Sequence, residues 1–359
     1  MALPKTMQAL KSAKDHKAGL FDVPLPVPAR GEVLVRTKAV ALNPSDWKAI
    51  TWMDTLNFTI GCDYAGIVEA VGEGVEKDWK KGDRIAGMAN GNNPLHLDGG
   101  AFAEYIVVKG DVQIKIPDNI AFEEAATLGV GTATVGQGLY QKMKLPLPTA
   151  PAKEKFPILI YGGSTATGIL GIQFAKLSGL EVITTCSPRN FDYVKEHGAD
   201  HVFDYNSPTC GSDIRELTKN RLFYAWDCFA ESPSPKVCSD ALSTEKNPSG
   251  EQPIYGSLAM EGSGRDDVTS VTSMAYTIFA EPFERGPFYI PPSQEDFEFA
   301  KEFMTLIDQL LADGSFKPHR VELRSGGIAA IPEGIEDLKN YKIYSISSDR
   351  SKPYSNLKH

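Results

Sequence analysis

Residues 156–179 read FPILIYGGSTATGILGIQFAKLSG, and the spacing of their small residues defines a chemical task. Residues 156–161 are apolar or aromatic, the composition of a buried parallel strand. They run into Gly162, Gly163, Ser164, Thr165, Ala166, Thr167 and Gly168. A helical pattern follows, with Ile169, Leu170, Ile172, Phe174, Ala175 and Leu177 apolar and Gly179 placed to end it. A strand passing through such a turn into a helix aims unpaired amides and the helix dipole at one point, where an anion binds. A dinucleotide pyrophosphate is the usual occupant. The expected G-x-G-x-x-G reads here Gly163-x-Thr165-x-x-Gly168, with a threonine where the backbone normally approaches the pyrophosphate. Thr165 therefore predicts a shifted contact or a hydroxyl donating to phosphate.

The next such stretch lies at the end of the second strand, where NAD sites place an acid for the ribose 2′-hydroxyl. Here the residues are Cys186, Ser187, Pro188, Arg189 and Asn190, with no acid before Asp192. A hydroxyl and a guanidinium suit a 2′-phosphate, so the cofactor expected is NADPH.

These elements need a frame. At 359 residues the chain exceeds what one core usually supports, so two domains are expected. A 42% hydrophobic content is that of an ordinary globular protein, and a net charge of -9 argues against nucleic acid or an anionic membrane as the main partner. The first seventeen residues hold no apolar run of the signal-peptide kind and no window reaches transmembrane length; the expected location is cytoplasmic. Five cysteines, Cys62, Cys186, Cys210, Cys228 and Cys238, lack paired spacing and read as reduced thiols rather than a disulfide or metal framework.

Along the chain, residues 1–131 have the texture of short strands and glycine turns, which predicts a small antiparallel barrel. Strands are expected over 32–40, 65–72 and 101–108, with a turn at 81–83 entering another. From about 130 to 290 strands alternate with helices, the pattern of a parallel sheet, with strands near 181–185, 201–205, 222–229 and 253–258. The proline-rich stretch 145–157 reads as a surface connection. A helix is expected over 293–312, capped by Ser293 and stopped by Gly314, with Phe297, Phe299, Phe303, Leu306, Ile307, Leu310 and Leu311 inward. A short helix over 332–340 and a strand over 342–347 complete the chain.

This order resembles the medium-chain dehydrogenase/reductase superfamily over nearly the full length. The motifs that carry the resemblance are residues 40–46 (VALNPSD), 61–66 (GCDYAG), 81–84 (KGDR) and the Gly163 turn. It implies an α/β chain with a GroES-like β-barrel catalytic domain, residues 1–130 completed by 291–359, and a Rossmann dinucleotide-binding domain, residues 131–290. Zinc-dependent members place a cysteine and a His-Glu pair in the first two landmarks. Here those landmarks offer Asn43, Pro44 and Ser45, then Cys62 and Asp63, and residues 86–105 contain none of the structural-zinc cysteines. Cys62 beside Asp63 cannot close a tetrahedral site, so no metal is expected and Cys62 is read as a packed thiol. Residues 43–48 (NPSDWK), 162–168 and 186–190 look like the trans-acting enoyl reductases that serve fungal polyketide synthases and polyketide-peptide hybrids, the lovastatin-pathway type among them. Ordinary quinone reductases share the rest.

The resemblance implies roles. Ser45, Asp46, Trp47 and Lys48 line the nicotinamide side, Lys48 being either a charge near phosphate or substrate carbonyl or a solvated lysine. Gly163, Ser164, Thr165, Ala166, Thr167 and Gly168 hold the pyrophosphate; Ser187, Pro188, Arg189, Asn190 and Tyr205 surround the adenosine phosphate. Leu258, Ala259, Ile343 and Tyr344 complete the cofactor contacts. Gly129, Val130, Gly131, Thr132, Ala133, Thr134, Val135 and Gly136 form an acyl-binding wall, although their glycines equally serve helix packing. Tyr276, Thr277, Ile278, Phe279 and Ala280 match a second substrate segment. The implied reaction is hydride transfer from NADPH to the β-carbon of an α,β-unsaturated thioester borne on the acyl carrier protein of a partner synthase, or else a stand-alone quinone or enone reduction. No residue is singled out as the proton donor. A monomer is expected, because residues 281–292, read as the edge of the Rossmann sheet, carry Pro282, Pro287, Pro291 and Pro292.

Overall fold

The computed structural model describes residues 3–286 and 288–340, and the backbone of 346–349. The chain divides into two compact units. One comprises the residues up to Ala133 together with those from Tyr276 onward; the other is Thr134–Ala275.

In the discontinuous unit the strand Glu32–Leu42 is the axis. It pairs antiparallel with Asp63–Val71 along one edge, and its other edge is shared by Tyr105–Lys109 and Ile346–Asp349. Arg84–Met88, Ile114–Lys115 and Glu322–Ser325 extend the sheet to seven strands. Register shifts between Leu34 and Val35 and between Thr37 and Ala39 mark bulges, which bend a sheet and strengthen its twist. Val33, Val35, Val40, Tyr64, Val68, Ile85, Phe102 and Ile106 fill the core. A separate hairpin, Thr6–Ala13 with Lys17–Pro24, bridges to the body at Ala9–Ala103 and Lys11–Thr59.

The contiguous unit is a six-stranded parallel sheet in the order His201–Asp204, Glu181–Cys186, Pro157–Tyr161, Tyr224–Asp227, Ile254–Ser257, Thr269–Thr272. Helices Ala166–Leu177, Phe191–Glu196, Cys210–Leu217 and Ser234–Ala241 connect the strands. The first strand of the unit, Pro157–Tyr161, lies inside the sheet, so the order reverses direction beside it. In open α/β sheets that reversal leaves a crevice at the carboxyl ends of the strands.

Several expectations shift. The domain boundaries fall at 133/134 and 275/276 rather than after 130 and 290, because Thr269–Thr272 already closes the parallel sheet. Residues 281–292 are not its edge. Phe283–Arg285 and Phe288–Ile290 pair with each other in a small antiparallel hairpin, and Gly286 takes a left-handed φ of 56° at its turn. Pro282, Pro291 and Pro292 bracket the hairpin, and the edge strand Thr269–Thr272 has no proline, so the proline argument for a monomer does not apply to it. The long helix runs over Gln294–Ala312 with Ser293 Oγ accepting from the Asp296 amide at 3.1 Å. Ala300 and Met304 join its buried side, while Phe297, Phe299 and Leu306 are half-buried. The last helix is Ile331–Lys339; of the expected strand over 342–347, positions 342–345 lie outside the described residues. The 101–108 strand is shorter, Tyr105–Lys109.

Gly61 has φ 92°, and a Cβ there would lie 2.2–2.4 Å from carbons of the Phe102 ring. Gly61→Ala therefore combines backbone strain with overpacking, and should lower unfolding free energy by about 2–4 kcal/mol in urea titration.

Candidate functional site

In the contiguous unit the turn after Pro157–Tyr161 is drawn tight. Gly162 has φ 76°, its amide donates to Thr185 Oγ1 at 3.1 Å, and the Gly163 amide donates to the Thr185 carbonyl at 2.9 Å. A side chain at Gly163 would collide with Thr184, and one at Gly168 with the Gly162 carbonyl. Thr165 is the N-cap of Ala166–Leu177. Its hydroxyl accepts from the Gly168 amide at 3.0 Å and donates to the Gly162 carbonyl at 2.8 Å. That overturns a hydroxyl aimed at phosphate, because its single proton is already committed within the turn. The amides of Ser164, Ala166 and Thr167 make no hydrogen bond among the described residues. Three free donors at the start of a twelve-residue helix form an anion cradle.

The rest of the expected cofactor rim follows at the ends of neighbouring strands. Beyond Cys186 a single turn, Pro188–Asn190, exposes Pro188 and Arg189, and Asn190 Nδ2 donates to Ser187 Oγ at 3.2 Å. Tyr205 follows His201–Asp204 and is 37% exposed, its ring 6.4 Å from that of Tyr161. The Leu258 amide meets the Asp227 carbonyl at 3.4 Å and the Ala259 amide meets Ser257 Oγ at 3.1 Å. Asp227, which the sequence did not single out, is buried and organises this end. Its carboxylate accepts from the Phe229 and Ala230 amides, Ser234 Oγ and Tyr255 Oη at 2.6–3.0 Å.

In the discontinuous unit the two landmark segments meet in a buried polar network. Asp46 accepts from the Asn43 amide at 2.7 Å and from Asn92 Nδ2 at 2.8 Å. Asp63 accepts from Asn43 Nδ2 at 2.9 Å and from the Val130 amide at 2.6 Å. Cys62 Sγ lies 3.2 Å from Asn92 Nδ2 and 3.1 Å from Tyr276 Oη. Burial pushes both carboxyls up to about 7, against the lowering hydrogen bonds, and Asp46 adds to the shift at Asp63. Burial, and then the Asp46 charge, also pushes the Cys62 thiol up, so it stays protonated and unreactive.

The chain matches two families, the alcohol dehydrogenase GroES-like domain over residues 29–118 and the zinc-binding dehydrogenase domain over 166–273. Trans-enoyl reductase resD of Aspergillus sclerotiorum is 44% identical over 94% of this chain and 98% of its own length. Trans-enoyl reductase ACTTS2 of Alternaria alternata is 42% identical over 95% and 97%. The chain belongs to the trans-enoyl reductase family. Its fold is that of the medium-chain dehydrogenases. An alcohol dehydrogenase superfamily protein from Novosphingobium aromaticivorans superposes with a TM-score of 0.77 at 21% identity, covering 96% of this chain and 100% of that one. The CurK enoyl reductase gives 0.74 at 18%, covering 96% and 99%. The reductase is thus an oxidoreductase with a GroES-like and a Rossmann-type unit.

Members of this superfamily use nicotinamide cofactors. The cradle fits such a group, since its glycines admit no side chain and its three amides have no protein acceptor. Zinc does not fit. Cys62 is enclosed by Asn92 and Tyr276, and both Asp63 oxygens are taken by donors. Among the described residues no group of three His, Cys, Asp or Glu is arranged to hold a metal.

The remaining expected residues are placed as follows. Trp47 and Lys48 lie on the helix Pro44–Trp52, Lys48 Nζ at 5.5 Å from the Trp47 ring and 5.6 Å from the Trp52 ring. Gly129–Val135 is helical; a side chain at Gly129 would strike Gly87 and Asp63, so this glycine serves packing. The Thr132 hydroxyl donates to the Leu128 carbonyl at 2.7 Å. Gly131, Thr132, Ala133, Val135 and Gly136 are buried, which leaves Val130 and Thr134 as the half-buried positions. Tyr276 stacks on Phe283 at 3.8 Å, the Thr277 hydroxyl donates to Asp296, and Ile278 and Phe279 are buried; Ala280 is half-buried with φ 50°. Ile343 and Tyr344 lie outside the described residues.

The raised carboxyls set a pH dependence. An unfolded chain releases these protons near pH 3.8, the folded one only near about 7. Between those values the native state binds more protons, so stability falls as pH rises through the window and levels off above it. Thermal midpoints should therefore drop between roughly pH 5.5 and 7.5, and Asp63→Asn should shrink that drop. A midpoint that rises over this range in both proteins would contradict the assignment.

Proposed function

We propose that this reductase uses NADPH to saturate the C=C bond of an α,β-unsaturated thioester presented by the acyl carrier domain of a partner polyketide synthase, in the cytoplasm and without zinc. The observation that carries this reading is full-length similarity above 40% to curated trans-enoyl reductases, in a chain that keeps an open dinucleotide cradle.

A bound reduced nicotinamide supplies the hydride. The chain's own residues bind and orient. Amides of Ser164, Ala166 and Thr167, with the dipole of Ala166–Leu177, hold the pyrophosphate, and Thr165 keeps the turn shut beneath it. Ser187 and Arg189 receive the 2′-phosphate, and the absence of an acid before Asp192 removes the partner an NAD ribose would need. Tyr205 covers the adenosine side. Val130 and Thr134 offer the acyl chain its contact on the Gly129–Val135 helix. Addition of hydride at the β-carbon moves the alkene electrons onto the thioester oxygen, and the enolate then takes a proton from solvent at the α-carbon.

Crotonyl-pantetheine thioester should consume NADPH much faster than a quinone does; the reverse order would favour a stand-alone quinone reductase. Arg189→Ala should raise KM for NADPH by about 10–100-fold, the loss of one or more charged hydrogen bonds, while KM for NADH barely moves. Equal use of both cofactors by the unsubstituted protein would refute this.

Elemental analysis of purified protein should find no stoichiometric zinc, and a strong chelator should leave the rate unchanged. One tightly held equivalent, lost together with activity, would overturn the zinc-free reading.

A further inference from the structure

Arg285 ends the strand Phe283–Arg285 and is half-buried. Its guanidinium lies 6.0 Å from the centroids of both the Tyr276 and Phe283 rings. Its protein hydrogen bond runs from Nη2 to the Ser45 carbonyl at 3.5 Å, the outer limit for such a contact. Nε is buried without an acceptor, and so is the Ser45 hydroxyl without a partner. Among the described residues no carboxylate forms an ion pair with Arg285. Asp46 feels its charge, yet both Asp46 oxygens already accept from Asn43 and Asn92.

Such a pair of groups is unusual. More than nine in ten buried polar groups are hydrogen-bonded, and an unmet donor costs about 1–3 kcal/mol, more when charged. Two unmet donors joined through the Ser45 backbone point to an acceptor brought from outside the chain. The required ligand is an oxygen that carries or develops negative charge. Ser45 opens the segment expected to line the nicotinamide side, where the substrate's reacting carbon must also come. The phosphates of the dinucleotide have their own donors in the Ser164–Thr167 amides.

We propose that Arg285 and Ser45 are the donors that receive the substrate's thioester oxygen as hydride addition turns it into an enolate. This rests on the enoyl-thioester reading given above. Electrons balance without a further reagent: hydride added at the β-carbon would push the alkene pair into the bond between the α-carbon and the thioester carbon and the carbonyl pair onto oxygen under the guanidinium, and solvent would return one proton to the α-carbon. The Tyr276 and Phe283 rings flank the guanidinium at 6.0 Å, a contact in which a planar guanidinium and a lysine ammonium differ.

The test uses the full-length protein and two probes. Crotonyl-pantetheine thioester reports turnover, and acetoacetyl-pantetheine thioester, a stable β-ketothioester, reports enolate binding through its ultraviolet absorption. The unsubstituted protein should strengthen the enolate band at near-neutral pH. Arg285→Gln should abolish that gain and lower kcat/KM for the crotonyl thioester by about 10²–10³, with Ser45→Ala showing about a tenfold loss. NADPH affinity, read by fluorescence, should stay within about twofold in Arg285→Gln. Ser45→Ala removes no hydrogen bond of the fold, so it keeps the test open should Arg285→Gln misfold. An unchanged enolate band in both variants, or NADPH affinity falling as far as kcat/KM, overturns the assignment; the latter would place the cofactor's carboxamide or phosphate there. A wild-type protein that turns over crotonyl thioester but gives no enolate band also overturns it. No turnover of any enoyl thioester by the wild type would instead remove the reading beneath it.

Discussion

Asn43 stands between two buried carboxylates, and the discontinuous unit depends on that arrangement. Its amide closes on Asp46 and its side chain on Asp63, while Asp63 reaches on to the Val130 amide. One residue thus ties the start of Pro44–Trp52 to the strand Asp63–Val71 and, through it, to the start of Gly129–Val135. Burying two carboxyls is costly, and every hydrogen bond they accept offsets part of that cost. The geometry is consequently stiff: neither helix can shift without leaving a buried acceptor unmet. Stiffness of this kind suits a site whose chemistry is mostly orientation, because an error of about 1 Å in placing a substrate is expensive in rate.

The same network occupies the atoms a metal would need at this place, both Asp63 oxygens and the Cys62 sulfur. A zinc ion organises its ligands by charge and tetrahedral geometry. Here the organising work falls to Asn43 and Asn92, each presenting an amide to a carboxylate or a thiol. These donors are neutral, and the buried carboxyls hold their protons to higher pH.

Much of the fold was legible because its signals are local. The strand, glycine turn and helix at 157–177 follow from composition and spacing, as do the Ser293 cap and the Gly314 stop. What failed to show depends on contacts far apart in the chain. Thr165 was correctly placed in the turn, yet whether its hydroxyl faces phosphate or caps its own helix depends on the Gly162 carbonyl. Arg285 sits amid prolines that read as an edge strand, and only its approach to Ser45, 240 residues away, marks it as part of the site. The true sheet edge, Thr269–Thr272, is a short polar strand with little to distinguish it from a loop. Asp46 and Asp63 were read as a contact residue and a metal-landmark residue; no sequence pattern announces that Asn43 will join them.

The interruption of one unit by the other has a consequence for biogenesis. The parallel-sheet unit is a continuous stretch, Thr134–Ala275, and can condense as soon as it leaves the ribosome. The antiparallel unit cannot. Its axial strand Glu32–Leu42 stays short of a partner until Ile346–Asp349 has been translated, and Cys62 waits for Tyr276. Closing a loop of that length adds little entropy beyond that of a shorter one, but it delays the closing contacts until residues 346–349 have been made. For that interval part of an apolar strand edge is open to the nascent chain's surroundings, a template for unwanted pairing.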